Sequence, residues 1–303
     1  MNKNEKEVNS VPFLIKEVDN KLTTAGKPYQ SLKIVDVSKK AMDAVVWNHD
    51  FVNLLTANNV VLLSGKLSEY KGVPQLSIDF VMQGDISSID LFIEVAPVKK
   101  EALISEFEVF INQIKNQDIK RIVTAFVNKY QIKIYEYPAG KAIHHDYRYG
   151  LLHHTVLMCR LGAFIAKEYP GVNQDLLMAG IIIHDLMKVE ELSDATNPEY
   201  TKAGKLIGHI SLGAMELKTL ADELKIEGEV PLLLEHMLLS HHGELDFGSP
   251  VLPLTLEALI LSQIDLIDSR INIVTKALKD TEPGEFTQKV FALDGRSFYK
   301  PKL

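Results

Sequence analysis

Cysteine is almost missing from this 303-residue chain: Cys159 is the only one, which excludes an intramolecular disulfide and favours a reducing compartment. Long apolar runs are missing too, and no stretch approaches the ~20 residues that a membrane helix needs. The opening "MNKNEKEVNS" is polar and has no apolar h-region, so no secretory signal is expected and the predicted location is the cytoplasm. There is no internal repeat and no low-complexity tract. An excess of positive charge is lacking as well, for the formal net charge is −7. Residues 1–90 carry 10 basic and 11 acidic side chains, residues 99–150 carry 9 and 6, and residues 151–303 carry 14 and 22. That balance argues against a surface built for duplex DNA. It leaves a nuclease open, because bound divalent ions reverse the sign inside an acidic cleft.

What is present falls into two halves with different periods. Residues 11–90 read as five short strands, among them "SLKIVDVS", "DAVVWN", "NVVLLSGKLSEY" and "VPQLSIDFVMQGD", rich in β-branched residues. "TTAGKP" (23–28) and "YKGV" (70–73) read as hairpin loops, and "HDFVNLLTANN" (49–59) as a short helix after the third strand. Five strands interrupted in that way are the layout of a small all-β OB-fold barrel, expected over residues 1–95, although the pattern alone also fits a small SH3-like barrel.

From about Lys99 the period becomes helical. Seven stretches carry apolar residues at i, i+3, i+4 and i+7: 99–115, 118–130, 151–169, 174–192, 209–224, 229–242 and 255–279. Breakers such as Pro138 with Gly140, Pro170 with Gly171, Pro198, Gly228 and "GSPVLP" separate them. The predicted boundary lies near "VAPVKK" (95–100), with an all-α domain over 96–303 whose irregular tail packs over the helices.

Nine of the ten histidines lie between His144 and His242. Those able to bind metal recur near predicted helix ends: His154 in "GLLHH", His184 with Asp185 in "GIIIHD", His209 in "LIGH", and His241 with His242 in "LLSHH". Asp265 lies within "LILSQIDLIDSR", again among leucines and isoleucines. An ionised carboxylate taken out of water without a partner costs several kcal/mol or more. Asp185, which with His184 stands behind three isoleucines, therefore needs positive charge from elsewhere in the fold, a basic side chain or a metal ion. Imidazoles and carboxylates together suit Mn, Fe, Zn, Ni or, less well, Mg. A shared aspartate can bridge two such ions about 3.5–4 Å apart, as in two-metal phosphoryl chemistry. His153 and His236 read instead as ordinary hydrogen-bonded core histidines.

The order His154, His184-Asp185, Asp265 resembles the HD superfamily of metal-dependent phosphohydrolases, and His209 with His241 and His242 looks like the version that holds a second metal. With "HHDYRYGLLHHT", "SHHGELDFGSP", "EALILSQIDLIDSRI", "EPGEFTQKVFALDGRSFYKP" and the barrel, the chain resembles the YhaM-type 3'→5' exoribonucleases of Gram-positive bacteria over nearly its whole length. Two departures stand out: Tyr149-Gly150 replaces the Gly-Gly common in that family, and Leu186-Met187-Lys188 replaces its Ile-Gly-Lys.

The resemblance implies release of 5'-nucleotides from single-stranded RNA, and often from single-stranded DNA, with two divalent ions per chain. Manganese is expected first, with Fe, Ni, Co or Mg as alternatives. His154, His184, Asp185 and Asp265 would hold the first ion and His209, His241 and His242 the second, with Asp185 shared. A water acidified by the ions would attack phosphorus in line. Lys188 would hold a phosphate oxygen or protonate the leaving group, unless it is a solvated helix-face lysine. His145 and Arg148 are candidates for clamping the phosphate. The barrel would hold the strand through a basic groove and aromatic platforms. Tyr29 and Tyr70 are expected to be exposed for this, with Lys33, Lys66 and Lys71, whereas Trp47 and Phe80 would fill the barrel interior. The rival readings are an HD nucleotidase or cyclic-dinucleotide phosphodiesterase, and a non-catalytic nucleic-acid-binding adaptor. A homo-oligomer is left open.

Overall fold

The structure is a computed structural model that describes residues 6–47, 54–141 and 143–303. The chain divides into two compact units, Met1–Val95 and Ala96–Leu303. In the first, alternating apolar residues form β1 (Lys6–Leu22), β2 (Pro28–Val35), β3 (Ala41–Val46), β4 (Val60–Tyr70) and β5 (Val73–Gln83). They close a barrel in the order β1-β2-β3-β5-β4, the OB-like architecture expected. Leu32 and Ile34, Ala44 and Val46, Val61 and Leu63, Leu76 and Ile78 point inward and pack on Phe13 and Ile15.

β1 is a single strand of 17 residues rather than a short one. Its register breaks between Val8 and Val11 and again between Ile15 and Glu17. The resulting bends let its first half pair with β4 and its second half with β2, which closes the barrel. The "YKGV" hairpin is a two-residue turn with Lys71 and Gly72 at φ +53° and +80°, the twist that suits a tight hairpin. Of the helix predicted over 49–59, residues 49–53 lie outside the described residues; residues 54–59 form no helix, with turns at Leu54 and at Ala57 and Asn58.

Two aromatic expectations are corrected. Trp47 and Phe80 do not fill the interior but are 54% and 48% exposed. Trp47 follows the inward-pointing Val46 and so takes the opposite face. At Phe80 the pairing slips opposite Ser64 and Gly65, so Asp79 and Phe80 both face outward before Val81 returns to the core.

The second unit holds α1 (Lys100–Gln113), α2 (Gln117–Glu136), α3 (Gly150–Glu168), α4 (Gln174–Ile183), α5 (Lys188–Glu191), α6 (Lys202–Leu206), α7 (Gly208–Leu224), α8 (Glu229–Ser240) and α9 (Leu256–Lys279). Side-chain caps on Asn116, Asn173, Thr201 and Thr255 start four of them, each accepting from a backbone N–H in the first turn. α4 is the central helix, with every residue from Leu176 to Ile183 buried and α1, α2, α3, α8 and α9 packed around it. Gly180 makes room for α8: a Cβ there would stand 2.1 Å from Met237 Cε.

The stretch 174–192 is not one helix, as its period suggested; it breaks over His184–Met187 between α4 and α5. The tail is tied to the end of α9 by Lys300, whose Nζ donates to Leu278 O at 2.9 Å and Thr281 O at 2.7 Å. Among the described residues no helix is long and apolar enough to cross a membrane.

Candidate metal centre

The break after α4 builds the centre of the site. Beyond Ile183 the backbone tightens, with Leu186 N donating to Ile183 O at 3.3 Å and Lys188 N to Asp185 O at 3.0 Å. His184 and Asp185 thus leave the central helix within the core, 1% and 2% exposed. α3 contributes His154, α7 His209, the end of α8 His241 and His242, and α9 Asp265.

These side chains converge in two groups. In the first, His154 Nε2 lies 3.3 Å from His184 Nε2, 3.6 Å from Asp185 Oδ2 and 3.5 Å from Asp265 Oδ1, while His184 Nε2 lies 3.3 Å from Asp185 Oδ2. Ligand atoms held at about 2.0–2.2 Å around one tetrahedral ion are separated by roughly 3.4 Å, so this set fits a common cation. In the second group, Asp185 Oδ1 lies 3.3 Å from His209 Nε2 and 3.6 Å from His241 Nε2. The His242 ring lies 4.5 Å from that of His241 and 5.4 Å from that of His209 between centroids. Asp185 therefore turns one carboxylate oxygen toward each group.

Asp185 Oδ1, His209 Nε2 and His241 Nε2 are buried without a hydrogen-bond partner among the described residues. Unpaired buried acceptors are costly in a packed interior and call for an explanation. A divalent cation among them satisfies all three.

The opposite edge of each imidazole is already engaged. Nδ1 of His184 donates to Ile181 O at 2.8 Å, that of His241 to Leu238 O at 2.7 Å, and that of His242 to Phe247 O at 2.8 Å. His154 Nδ1 meets Asp268 Oδ2 at 2.6 Å and His209 Nδ1 meets Glu191 Oε2 at 3.1 Å. A carbonyl or carboxylate can only accept, so the proton sits on Nδ1 and the Nε2 lone pair faces inward. This is how proteins orient metal-binding histidines. Asp268 and Glu191 were not anticipated from sequence. Each lies one helical turn beyond a residue that was, at i+3 from Asp265 and from Lys188, a spacing that places both on the same face.

Charge follows the same plan. Burial alone would raise the Asp185 pKa, but the Lys188 ammonium and the His184 ring beside it hold it well below the usual carboxylate range. Burial pushes His241 down to about 4, so its ring is neutral and free to ligate at neutral pH. Burial lowers His242 in the same sense. Lys188 is not a solvated helix-face residue: it is 7% exposed, and its Nζ donates to Asp185 Oδ2 at 2.7 Å.

His145 and Arg148, the phosphate-clamp candidates, are engaged elsewhere. Both ring nitrogens of His145 are used, Nδ1 toward the Tyr147 hydroxyl and Nε2 toward Asp268 Oδ2, each at 2.6 Å. Arg148 Nε donates to Glu136 Oε2 at 2.7 Å and its guanidinium stacks 5.1 Å from the Tyr149 ring centroid. Tyr149 holds φ +66°, a left-handed backbone that favours glycine, at the position of the Tyr-Gly departure. His144, by contrast, stands half-buried with its ring 5.9 Å from that of His154, beside the first group. His153 is a buried, hydrogen-bonded histidine as expected, bonded to the Tyr147 hydroxyl; His236 accepts from Leu254 N but is only half-buried, not a core residue.

On the barrel, Tyr29 is half-buried rather than exposed, because its ring stacks on Trp47 at 4.9 Å and 28°. Tyr70 is 59% exposed, with Lys71 Nζ 5.4 Å from its ring. Lys33 and Lys66 also lie on the exposed surface.

Residues 151–270 match the family described as the HD domain, the interval that carries His154, His184, Asp185, His209, His241, His242 and Asp265. Fold and site thus define an HD-domain protein with an OB-like barrel before it. A protein of Listeria monocytogenes serovar 1/2a named "3'-5' exoribonuclease YhaM" is 44% identical over 295 residues, covering 95% of this chain and 94% of its own. One of the same name from Listeria innocua is also 44% identical, and one from Oceanobacillus iheyensis is 40% identical over 296 residues, 96% of this chain and 93% of its own. The chain belongs to the YhaM family.

Proposed function

We propose that the protein is a metal-dependent 3'→5' exoribonuclease that shortens single-stranded RNA, and also single-stranded DNA, by hydrolysis to 5'-nucleotides. The observation that carries the chemistry is the placement of Asp185, one oxygen toward His154 and His184 and the other toward His209 and His241. The names of the YhaM relatives supply the substrate and the direction of digestion. Two ions, manganese by preference, would be held by His154, His184, Asp185 and Asp265 and by Asp185, His209, His241 and His242. Divalent ions bound there supply Lewis acidity toward the phosphoryl oxygens and an activated water.

The remaining work belongs to the protein. Asp185 keeps the two ligand sets at a fixed spacing, and Lys188 fixes Asp185. Glu191 and the Ile181 and Leu238 carbonyls keep the imidazoles in the ligating tautomer. His144, beside the first group, is placed to donate a hydrogen bond to a phosphate oxygen. In the barrel, the outward Tyr29–Trp47 stack and Tyr70 offer platforms for bases, and Lys33, Lys66 and Lys71 offer charge to the backbone. Base stacking of this kind is tolerant of sequence, so little sequence preference is expected. Function in the cytoplasm is part of the same reading.

The test is manganese-loaded protein incubated with single-stranded RNA labelled at either end. A 5' label should move down a ladder one nucleotide at a time, while a 3' label should appear at once as mononucleotide. Hydrolysis of nucleotides without cleavage of RNA would favour a nucleotidase or cyclic-dinucleotide phosphodiesterase. Binding without turnover would favour the adaptor.

A further inference from the structure

Behind the first ligand group lies a chain of buried hydrogen bonds that the metal chemistry does not itself require. Asp268 Oδ2 is 2.6 Å from His154 Nδ1 and 2.6 Å from His145 Nε2. His145 Nδ1 is 2.6 Å from the Tyr147 hydroxyl, which is 2.7 Å from His153 Nδ1. His145 N also donates to Asn272 Oδ1 at 2.9 Å, one turn beyond Asp268 on α9. His145, His154, His153 and Asp268 are 1%, 0%, 7% and 7% exposed.

The cluster His145, His154 and Asp268 could be taken for a third ion site. Its spacing argues otherwise. Two ligands at about 2.0–2.2 Å from one ion stand roughly 3 Å or more apart. Contacts of 2.6 Å are charge-assisted hydrogen bonds, with no room for an ion between the atoms.

One placement of the protons pairs every donor with an acceptor while keeping the rings neutral. Asp268, a carboxylate, accepts from His154 Nδ1 and from His145 Nε2. His145 Nδ1 is then bare and accepts the Tyr147 O–H. The Tyr147 oxygen in turn accepts from His153 Nδ1. Every donor meets one acceptor with all three imidazoles neutral, the condition under which a buried polar network is stable.

We propose that Asp268 is the positioning residue of the metal centre: a single oxygen sets the tautomer and angle of His154 and ties the 143–149 loop, with His144 at its start, to that ligand. Gly150 lets the loop close against α3, for a Cβ there would meet His145 O at 2.0 Å. His154 and the loop are thus joined through one carboxylate. The proposal rests on the metal-centre reading above, and its test separates the two.

The variants are Asp268→Asn, Asp268→Ala and Tyr147→Phe in the full chain, with two measurements. Manganese binding is titrated on protein stripped with chelator, and histidine tautomers are read by long-range 1H–15N NMR on the metal-free forms. Wild type should bind two ions with His154 wholly protonated at Nδ1. Asp268→Asn should weaken the tighter-coupled first ion about 10–100-fold, the usual effect of losing such a partner. It should leave the ion at His209, His241 and His242 in place and bring the second tautomer of His154 into view. Tyr147→Phe should change the tautomer balance of His153 and His145 while His154 stays protonated at Nδ1. If Asp268→Ala does not fold, the other two variants carry the test. Wild-type affinity for both ions with an unchanged His154 tautomer in Asp268→Asn overturns the proposal. Failure of the wild-type protein to bind any divalent ion overturns instead the reading on which it rests.

Discussion

Removing Asp185 should do two separable things, and the structure gives the size of one of them. Its Oδ2 accepts from the Lys188 ammonium at 2.7 Å, and the two side chains are 3% and 9% exposed. Deleting one partner of a buried pair leaves the other charge uncompensated and costs about 3–5 kcal/mol. For a helical unit of this size, each kcal/mol lowers Tm by about 2–4 °C, so Asp185→Ala should melt about 6–20 °C below wild type in chelator. Asp265, the next carboxylate acting on Lys188, remains and favours the smaller end of that range. Lys188→Met removes the ammonium instead. In Asp185→Ala/Lys188→Met neither charge is left, so the double variant should recover about 2 kcal/mol or more of the loss.

The second effect is chemical and should not recover. Without Asp185 both ligand sets lose their shared member, and manganese content after dialysis should fall below two ions per chain in both proteins that lack it. Hydrolysis of labelled RNA should be undetectable in the single and the double variant alike, although the double one is again well folded. Thermal unfolding of the four proteins, metal analysis and the RNA ladder together make the cycle. An Asp185→Ala protein that keeps both ions and substantial manganese-dependent hydrolysis would refute the shared-ligand assignment. Equal melting of that variant and wild type would refute the charge coupling to Lys188.

Chelation of the wild-type protein should lower Tm: a ligand at a hundredfold excess over its Kd stabilises the folded state by about 2.7 kcal/mol. Differential scanning calorimetry with and without EDTA measures this, and an unmoved Tm would count against the site. Glu191→Gln should weaken the second ion about 10–100-fold, because His209 Nδ1 loses its carboxylate; a manganese titration reads it. Trp47→Ala should weaken binding of single-stranded RNA by about 1–3 kcal/mol, the worth of one stacking platform. Fluorescence anisotropy with labelled RNA checks it, and hydrolysis of bis(p-nitrophenyl) phosphate should fall much less. Gly150→Ala pushes a methyl into the backbone oxygen of His145, 2.0 Å from the ideal Cβ. Overpacking against an atom that cannot swing away should cost about 1–3 kcal/mol, measured by chemical denaturation.

The barrel's strands and the seven helical stretches were legible because both rest on periodicity, which is local. The candidate ligands were legible because His154, His184, His209 and His241 follow apolar stretches and Asp265 stands among leucines and isoleucines inside α9, where a histidine or an aspartate has no packing reason to be. Three things were not. The outward turn of Phe80 depends on a one-residue slip opposite Ser64 and Gly65, which reverses parity without leaving a mark in the alternation of β5. The break at His184–Met187 is invisible to a helical period that the apolar residues of α4 and α5 continue across it. Asp268 and Glu191 resemble any polar residue of an exposed helix turn until the fold brings His154 and His209 against them. Their role is tertiary, and spacing alone does not separate a carboxylate that meets solvent from one that meets a ligand.

One local device recurs at two of the candidate ligands, His184 and His241, and explains why these two follow apolar runs. The last turn of a helix leaves carbonyls without an intrahelical partner. At the end of α4, His184 donates Nδ1 to Ile181 O, and at the end of α8, His241 donates Nδ1 to Leu238 O, in both cases to the residue three before. The same contact satisfies an otherwise unpaired carbonyl in the core, fixes the tautomer and aims Nε2 past the helix end. It also sets the imidazoles where the helix dipole is negative, which favours a cation. The apolar run that buries the helix and the histidine that ends it are thus parts of one arrangement. A buried helix must terminate its carbonyls inside the protein, and a histidine placed there does so while presenting a lone pair to a metal. Asp185, the next residue after the first such cap, then needs only to turn its two oxygens to opposite sides to serve both groups.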